Sequence, residues 1–258
     1  MKQAGPQPNV ITYNAVISAC EKGRRWATAL LLLDELQAPG GLGASVVSYN
    51  AAIVACGKGH KWAMALAMLR EMPLVRLKPN AVTYNSAISA CERSLEWQRA
   101  LALLDEMRCQ NVAASVVTCN AAIAACDRAH AWTAALSLFE EARSRADTIT
   151  YDAVMSACEK GHQWERSLTF FETMQACKVE PTVISYNVAL GALERGQRWI
   201  DALALLRRMQ VCGPLLRPSV ISFSVVMRAC GQAQRWPIVL GLLEEMRALG
   251  TTPNEVAY

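Results

Sequence analysis

Apolar residues recur every three or four positions in segments of about a dozen residues, and short polar turns separate these segments. The segment that begins at Ile11 reads ITYNAVISACEKG, and the segment that begins at Trp26 reads WATALLLLDELQ. Each places its apolar residues along one face of an α-helix. The pattern therefore predicts a pair of amphipathic helices joined by a tight turn.

The same pair of segments recurs with a period of about 35 residues. A tryptophan marks the start of every second helix, at Trp26, Trp62, Trp97, Trp132, Trp164, Trp199 and Trp236. A helical pair of this length cannot bury its apolar faces alone, so neighbouring pairs must stack on one another. The sequence therefore predicts an all-α fold of the α-solenoid class.

The period also predicts the boundaries of the repeats. Seven repeats cover residues 10–254, and they start at Val10, Val46, Ala81, Val116, Thr148, Val183 and Val220. Residues 1–9 match the end of a preceding repeat, and residues 255–258 match the start of a further one. We therefore expect the chain to be one segment of a longer array.

The first helix of each repeat has two contrasting sides. Counted from the first residue of a repeat, positions 4, 7, 8 and 11 form the apolar stripe that is the predicted core. Positions 2, 5, 9 and 13 lie on the opposite side of the helix. Position 2 is always aliphatic: Ile11, Val47, Val82, Val117, Ile149, Ile184 and Ile221. Position 5 is polar: Asn14, Asn50, Asn85, Asn120, Asp152, Asn187 and Ser224. Position 13 is a cation in six repeats: Lys22, Lys58, Arg93, Arg128, Lys160 and Arg195.

This second side has the chemistry of a surface for single-stranded nucleic acid. A base needs an apolar surface and a polar partner for its edge, and its phosphate needs a cation. Acidic residues at the neighbouring position 12, such as Glu21 and Glu159, are expected to point away from the cations. The pattern therefore predicts a one-sided basic line along the repeats.

The composition excludes several classes of protein. The 258 residues are 53% hydrophobic and 19% charged, which argues against a disordered chain. No apolar run reaches the roughly 20 residues of a membrane span, so no membrane partner is expected. The formal net charge of +4 does not by itself indicate a nucleic-acid binder.

The cysteines and histidines do not suggest a metal or catalytic site. Six cysteines share position 11 of the predicted core, and no C-x-x-C pair exists, so a zinc site is not supported. His60, His130 and His162 all occupy position 15, in the turn between the helices. We therefore predict no catalytic residues, no metal, no cofactor and no enzymatic activity.

The repeats closely resemble pentatricopeptide repeats. The resemblance rests on the V-x-T/S-Y-N opening, the E/D-E-M ending of the second helix and the late P-N/S, and it covers all seven repeats. The recurrent tryptophan departs from the family pattern, in which an aliphatic residue is common there. The resemblance implies an RNA-binding protein of mitochondria or chloroplasts that acts in RNA processing, editing, stability or translation.

The resemblance also implies how RNA would be read. One repeat reads one base through its position 5 and its last residue, and the aliphatic residues of adjacent repeats sandwich the base. The last residues here are Ser45, Asn80, Ser115, Asp147, Thr182, Ser219 and Asn254. The family pattern then gives the pyrimidine-leaning sequence 5′-C-C/U-C-U-N-C-A-3′, in which the Asp152 and Thr182 pair of repeat five is unassigned.

Each group of residues also has a purely structural interpretation. The last residues could cap the following helix, and the position-5 amides could bond to one another between repeats. The position-13 cations could complement helix dipoles, and the position-2 aliphatics could pack between repeats. The tryptophans are predicted to be core between the two helices of a repeat. Two other functions also remain open, a protein- or peptide-binding scaffold and the targeting arm of a larger RNA-modifying enzyme.

Overall fold

A computed structural model describes residues 8–38, 40–211 and 216–248. The regular structure of these residues is helical, and a 3₁₀ turn at Arg143–Arg145 follows the eighth α-helix. The α-helices are α1 (Val10–Lys22), α2 (Trp26–Gln37), α3 (Val46–Lys58), α4 (Trp62–Glu71), α5 (Ala81–Arg93), α6 (Trp97–Cys109), α7 (Val116–Arg128), α8 (Trp132–Ala142), α9 (Thr148–Lys160), α10 (Trp164–Ala176), α11 (Val183–Arg195), α12 (Trp199–Val211), α13 (Val220–Gln232) and α14 (Trp236–Ala248).

The turn between the two helices of a repeat has the same backbone conformation in every repeat. Position 15 lies in the left-handed region, with φ between 55° and 62°. A residue in this region ends the first helix and reverses the chain. It is Arg24, His60, Leu95, His130, His162, Gln197 or Gln234. The three histidines are therefore turn residues, as the sequence predicted.

The chain divides into two compact units, one up to Ala129 and the other from His130 onward. In the first unit, α1, α3, α5 and α7 pack side by side, and α2, α4 and α6 each pack on the two first helices that flank them. In the second unit, α9, α11 and α13 form the row, and α10 and α12 pack in the same way. Each unit is a stack of helical pairs, and the predicted all-α, α-solenoid fold class is confirmed.

The predicted apolar stripe is the buried core. In α3, the four residues at positions 4, 7, 8 and 11 (Tyr49, Ala52, Ile53 and Cys56) are fully buried. Burial raises the pKa of the Cys56 thiol to about 11, and the same holds for Cys91, Cys126 and Cys158. These thiols therefore act as small apolar side chains and stay protonated at neutral pH.

The tryptophans are not part of this core, contrary to the prediction. Trp26 to Trp199 are half-buried, and Trp236 is 68% exposed. Five of the rings lie against the following repeat: those of Trp26, Trp62, Trp132, Trp164 and Trp199. Trp132, for example, covers the backbone of Gly161 while the guanidinium of Arg166 lies 5.2 Å from the ring centroid. A cation over an aromatic face is favourable, and these five tryptophans join neighbouring repeats.

No helix in the described ranges is long and apolar enough to cross a membrane.

Candidate nucleic-acid interface

The position-2 aliphatic residues form an exposed series on the first helices. Their exposed fractions run from 57% for Val82 to 76% for Ile11. The remaining members are Val47, Val117, Ile149, Ile184 and Ile221, which have values between these limits. Aliphatic side chains that packed repeats together would be buried, so the packing interpretation is not supported. They are apolar surfaces open to a ligand.

The position-5 residues lie beside these aliphatic residues and are half-buried in six of the seven repeats. Asn14, Asn85 and Asn187 each accept a hydrogen bond at Oδ1 from a hydroxyl at position 3 of the next repeat. The donors are Ser48 Oγ at 2.6 Å, Thr118 Oγ1 at 2.5 Å and Ser222 Oγ at 2.6 Å. In these three repeats the amide oxygen therefore bonds to a neighbouring hydroxyl rather than to another amide. The Nδ2 donor remains for a ligand.

The sequence interpretation gave no role to position 3. Six of its seven hydroxyl residues are fully buried: Ser48, Thr83, Thr118, Thr150, Ser185 and Ser222. A buried hydroxyl requires a hydrogen-bond partner. The signal that could have revealed its importance is the presence of Ser or Thr at this position in every repeat, beginning with Thr12.

The last residue of each repeat caps the first helix of the next one. Ser45, Asn80, Ser115, Asp147, Thr182 and Ser219 each accept a hydrogen bond from the backbone N–H of position 3. The capping interpretation is therefore confirmed for these six residues. Capping uses one side-chain oxygen, so Asn80, for example, keeps its Nδ2 group for another partner. Asn254 lies outside the described residues.

Several position-13 cations bind acids of the preceding repeat. Lys58 Nζ lies 2.8 Å from Glu21 Oε1, and Arg128 Nη2 lies 3.3 Å from Glu92 Oε1. Arg195 pairs with Glu159 in the same way. The expectation that the acids point away from the cations is wrong, because position 12 of one helix faces position 13 of the next. Lys22 and Arg93 are exposed, and Lys160 is half-buried.

Two grooves bring these features together. In the second unit, a groove of about 900 Å³ between α11 and α13 is lined by Ile184 and Ile221 from adjacent repeats and by Asn187 and Arg195. In the first unit, a smaller groove of about 230 Å³ between α3 and α5 is lined by residues that include Val82, Asn85 and Arg93. Each combines aliphatic walls, an amide and a guanidinium, which suits a flat polar ring attached to an anion.

Sequence models of one repeat family match most of the chain. The model described as PPR repeat family matches residues 44–93 and 79–126, and the pentatricopeptide repeat domain matches 1–22 and 144–195. A third, described as PPR repeat, matches 184–214 and 221–251. The chain belongs to the pentatricopeptide repeat family.

Solved pentatricopeptide repeat structures resemble this one. The crystal structure of the pentatricopeptide repeat protein PPR10 from maize is 28% identical, with a TM-score of 0.72, over 99% of this chain and 37% of that one. PPR10 in complex with an 18-nt psaJ RNA element is 26% identical, with a TM-score of 0.63, over 97% of this chain and 40% of that one. The chain thus spans well under half the length of PPR10.

A more distant structure shares the fold alone. The PPR domain of Arabidopsis thaliana protein-only RNase P 1, in complex with tRNA, is 16% identical, with a TM-score of 0.58, over 69% of this chain and 94% of that one. No curated protein matches this sequence.

Three pentatricopeptide repeats differ from the common arrangement. In repeat five, burial raises the pKa of the Asp152 carboxyl, although the hydroxyls of Ser185 and Thr182 lower it. In repeat seven, Ser224 is buried and donates to the carbonyl of Val220 at 2.8 Å. In repeat four, Asn120 belongs to the first unit and Asp147 to the second.

The described part of this pentatricopeptide repeat chain holds no group of three or more His, Cys, Asp or Glu side chains that could bind a metal ion.

Proposed function

We propose that the chain binds single-stranded RNA along the exposed side of its first helices, with one base per repeat. The observation that carries this proposal is the groove between α11 and α13, whose walls are Ile184 and Ile221 of adjacent repeats and which also contains Asn187 and Arg195. The similar PPR10 structure was solved with an RNA element, which supports the same ligand class here.

Each part of the groove would have a distinct role. The aliphatic side chains of two successive repeats contact the two faces of a base, since both are exposed and apolar. The position-5 amide bonds to the edge of the base, where the bases differ in their donors and acceptors. The position-13 cation attracts the phosphate. Because six of the seven repeats have an aliphatic residue, a polar residue and a cation at these positions, the natural ratio is one base per repeat.

The sequence preference follows from the residue pairs at position 5 and the last position. We propose the reading 5′-C-C/U-C-U-N-C-A-3′, with Asn85 and Ser115 selecting the third base. Such binding would guide RNA processing, editing, stability or translation in a mitochondrion or chloroplast. The chain itself would act by occupying RNA, without catalysis of its own.

A binding measurement with two RNAs tests this function. An RNA with the predicted pyrimidine-rich sequence should bind at least about tenfold more tightly than its purine-rich complement, because each mismatched base makes the binding free energy less favourable. Gel-shift titration at fixed salt gives both dissociation constants. Equal binding, or no binding to either RNA, would contradict the proposal and favour a protein-binding scaffold.

The ion pairs between repeats should limit the attraction for phosphates. Glu159 pairs with Arg195 at the groove, and its side chain is only 18% exposed. Replacing Glu159 with Gln should release the guanidinium, strengthen RNA binding about threefold to tenfold and steepen the dependence of log K on log salt by about 0.7. Titrations at several salt concentrations measure both effects.

Glu140 provides the matched control. Glu140 lies on α8, its carboxylate pairs at 3.3 Å with Arg143 of the following 3₁₀ turn, and neither residue lines the groove between α11 and α13. Glu140→Gln removes the same charge and should change RNA affinity less than about twofold, because it acts only through screened long-range attraction. If Glu159→Gln instead weakens binding, the acid orients Arg195 for RNA rather than competing with it.

A further inference from the structure

The hydroxyl at position 3 donates its proton to one of two acceptors. Where the preceding repeat ends in Ser, the hydroxyl donates to the position-5 amide of that repeat. Three sites show this arrangement: Ser48 to Asn14, Thr118 to Asn85 and Ser222 to Asn187, at 2.5 to 2.6 Å. Their last residues are Ser45, Ser115 and Ser219.

In repeat two, whose last residue is Asn80, the hydroxyl bonds to that residue instead. Thr83 Oγ1 donates to Asn80 Oδ1 at 3.1 Å. The effect on the amide is visible in repeat two. Asn50 Oδ1 is buried and has no hydrogen-bond partner among the described residues.

The distances establish which atom of the amide is engaged. A separation of 2.5 to 2.6 Å is normal for O–H···O and too short for the usual N–H···O. The contact therefore joins the hydroxyl to the amide oxygen. Ser115 Oγ lies 3.0 Å from Thr118 Oγ1 and completes a chain that runs from Ser115 through Thr118 to Asn85. The Asn85 Nδ2 group is thereby left as the donor toward the groove that Asn85 lines.

This geometry bears on the choice between the two pyrimidines. The Watson–Crick edge of cytosine carries an acceptor at N3, whereas that of uracil carries an N–H donor there. An amide held with Nδ2 toward the base matches cytosine and opposes uracil. An amide whose oxygen is not engaged can turn and satisfy either base, which agrees with the C/U reading of repeat two.

We propose that the position-3 hydroxyl is a positioning residue that sets the orientation of the position-5 amide of the preceding repeat. On this view the last residue acts through the hydroxyl. A Ser directs the proton to the amide and favours C, while Asn80 takes the proton and leaves C and U less distinguished at the second base. The inference rests on the proposed RNA-binding function.

Thr118 and Thr83 provide a matched pair for the test. Both are fully buried, and both accept a hydrogen bond from the backbone N–H of the capping residue, at 3.1 and 3.2 Å. Thr118→Val and Thr83→Val therefore remove the same capping contact and should lower Tm equally. Only Thr118→Val removes a bond to a position-5 amide.

Selectivity is measured with RNAs that carry C or U at the second or the third base. Thr118→Val should lower the preference for C over U at the third base about fivefold to tenfold, the value of one hydrogen bond. Thr118→Ser should retain the preference for C at the third base. Thr83→Val should change the preference for C over U at the second base less than about twofold. Equal losses in the two Val variants, or full preference in Thr118→Val, would overturn the inference.

A gain of selectivity gives a second, independent test. Asn80→Ser should free the Thr83 proton for Asn50 and create a preference for C at the second base of about fivefold to tenfold. Adding Thr83→Val should abolish it. If the double variant still prefers C, the last residue acts without the hydroxyl and the inference is wrong. Failure of the wild-type chain to bind RNA would instead refute the proposed function, and this inference with it.

Discussion

Replacing Ile184 with Asp is expected to weaken RNA binding about a hundredfold, which corresponds to about 2.7 kcal/mol. Ile184 is 63% exposed and forms a wall of the groove between α11 and α13. The substitution removes the apolar contact with the bases on its two sides and places a carboxylate near their phosphates. Titration of the predicted RNA, at the salt concentration used for the wild type, measures the loss.

Ile200 provides the control for this substitution. It is also 63% exposed, but it lies on the second helix α12 and does not line that groove. Ile200→Asp introduces the same charge and should change affinity less than about twofold. Both variants should stay folded, because exposed substitutions away from special features cost little stability. Equal losses in the two variants would show that binding depends on total charge rather than on the groove.

Exchanging Asn85 and Ser115 for Ser and Asn should convert the third base from C to A. The shorter Ser side chain leaves room for a purine in the groove that Asn85 lines. Each wrong base costs about 1–3 kcal/mol. The original chain should therefore prefer C over A by about 10- to 100-fold, and the exchanged chain should prefer A over C by a similar factor. Competition between two RNAs that differ only at this base measures the ratio.

The same exchange in repeat one shows whether each repeat acts by itself. In repeat one the Ser48 hydroxyl bonds to Asn14 and Ser45. In repeat three the Thr118 hydroxyl bonds to Asn85 and Ser115 in the same way. Asn14→Ser with Ser45→Asn should therefore change the first base and leave the third one unaltered. A double exchange in repeat three that lowers affinity for every RNA, without a new preference, would contradict a base-reading role.

The repeat pattern predicted much of the fold because it depends on contacts inside one helix. The first helix of repeat two buries Tyr49, Ala52, Ile53 and Cys56, which the helical period places on one stripe, and exposes Val47 on the other side. The buried and exposed sides of this helix follow from the rotation of about 100° between successive residues of an α-helix. The turn histidines were equally predictable, because a position between two helical segments must reverse the chain.

The residues that bond between repeats were harder to assign. The sequence interpretation gave Thr118 no role, yet its hydroxyl donates to Asn85 of the preceding repeat at 2.5 Å. Glu159 was expected to point away from the cations, yet it pairs with Arg195. Both contacts depend on how far each helix is shifted and rotated relative to the helix of the preceding repeat, which the period does not specify.

The sequence by itself thus determined the helical class of the described residues, the core side of the first helices and the series of aliphatic, polar and basic residues on the other side. It did so because these features arise from spacing along single helices. Only the tertiary structure decided that six of the seven tryptophans are half-buried, that several acids pair with cations of the next repeat, and that a buried hydroxyl bonds to an amide in some repeats and to a capping side chain in repeat two. These outcomes depend on distances between stacked helices, where a shift of about 1 Å makes or breaks a hydrogen bond.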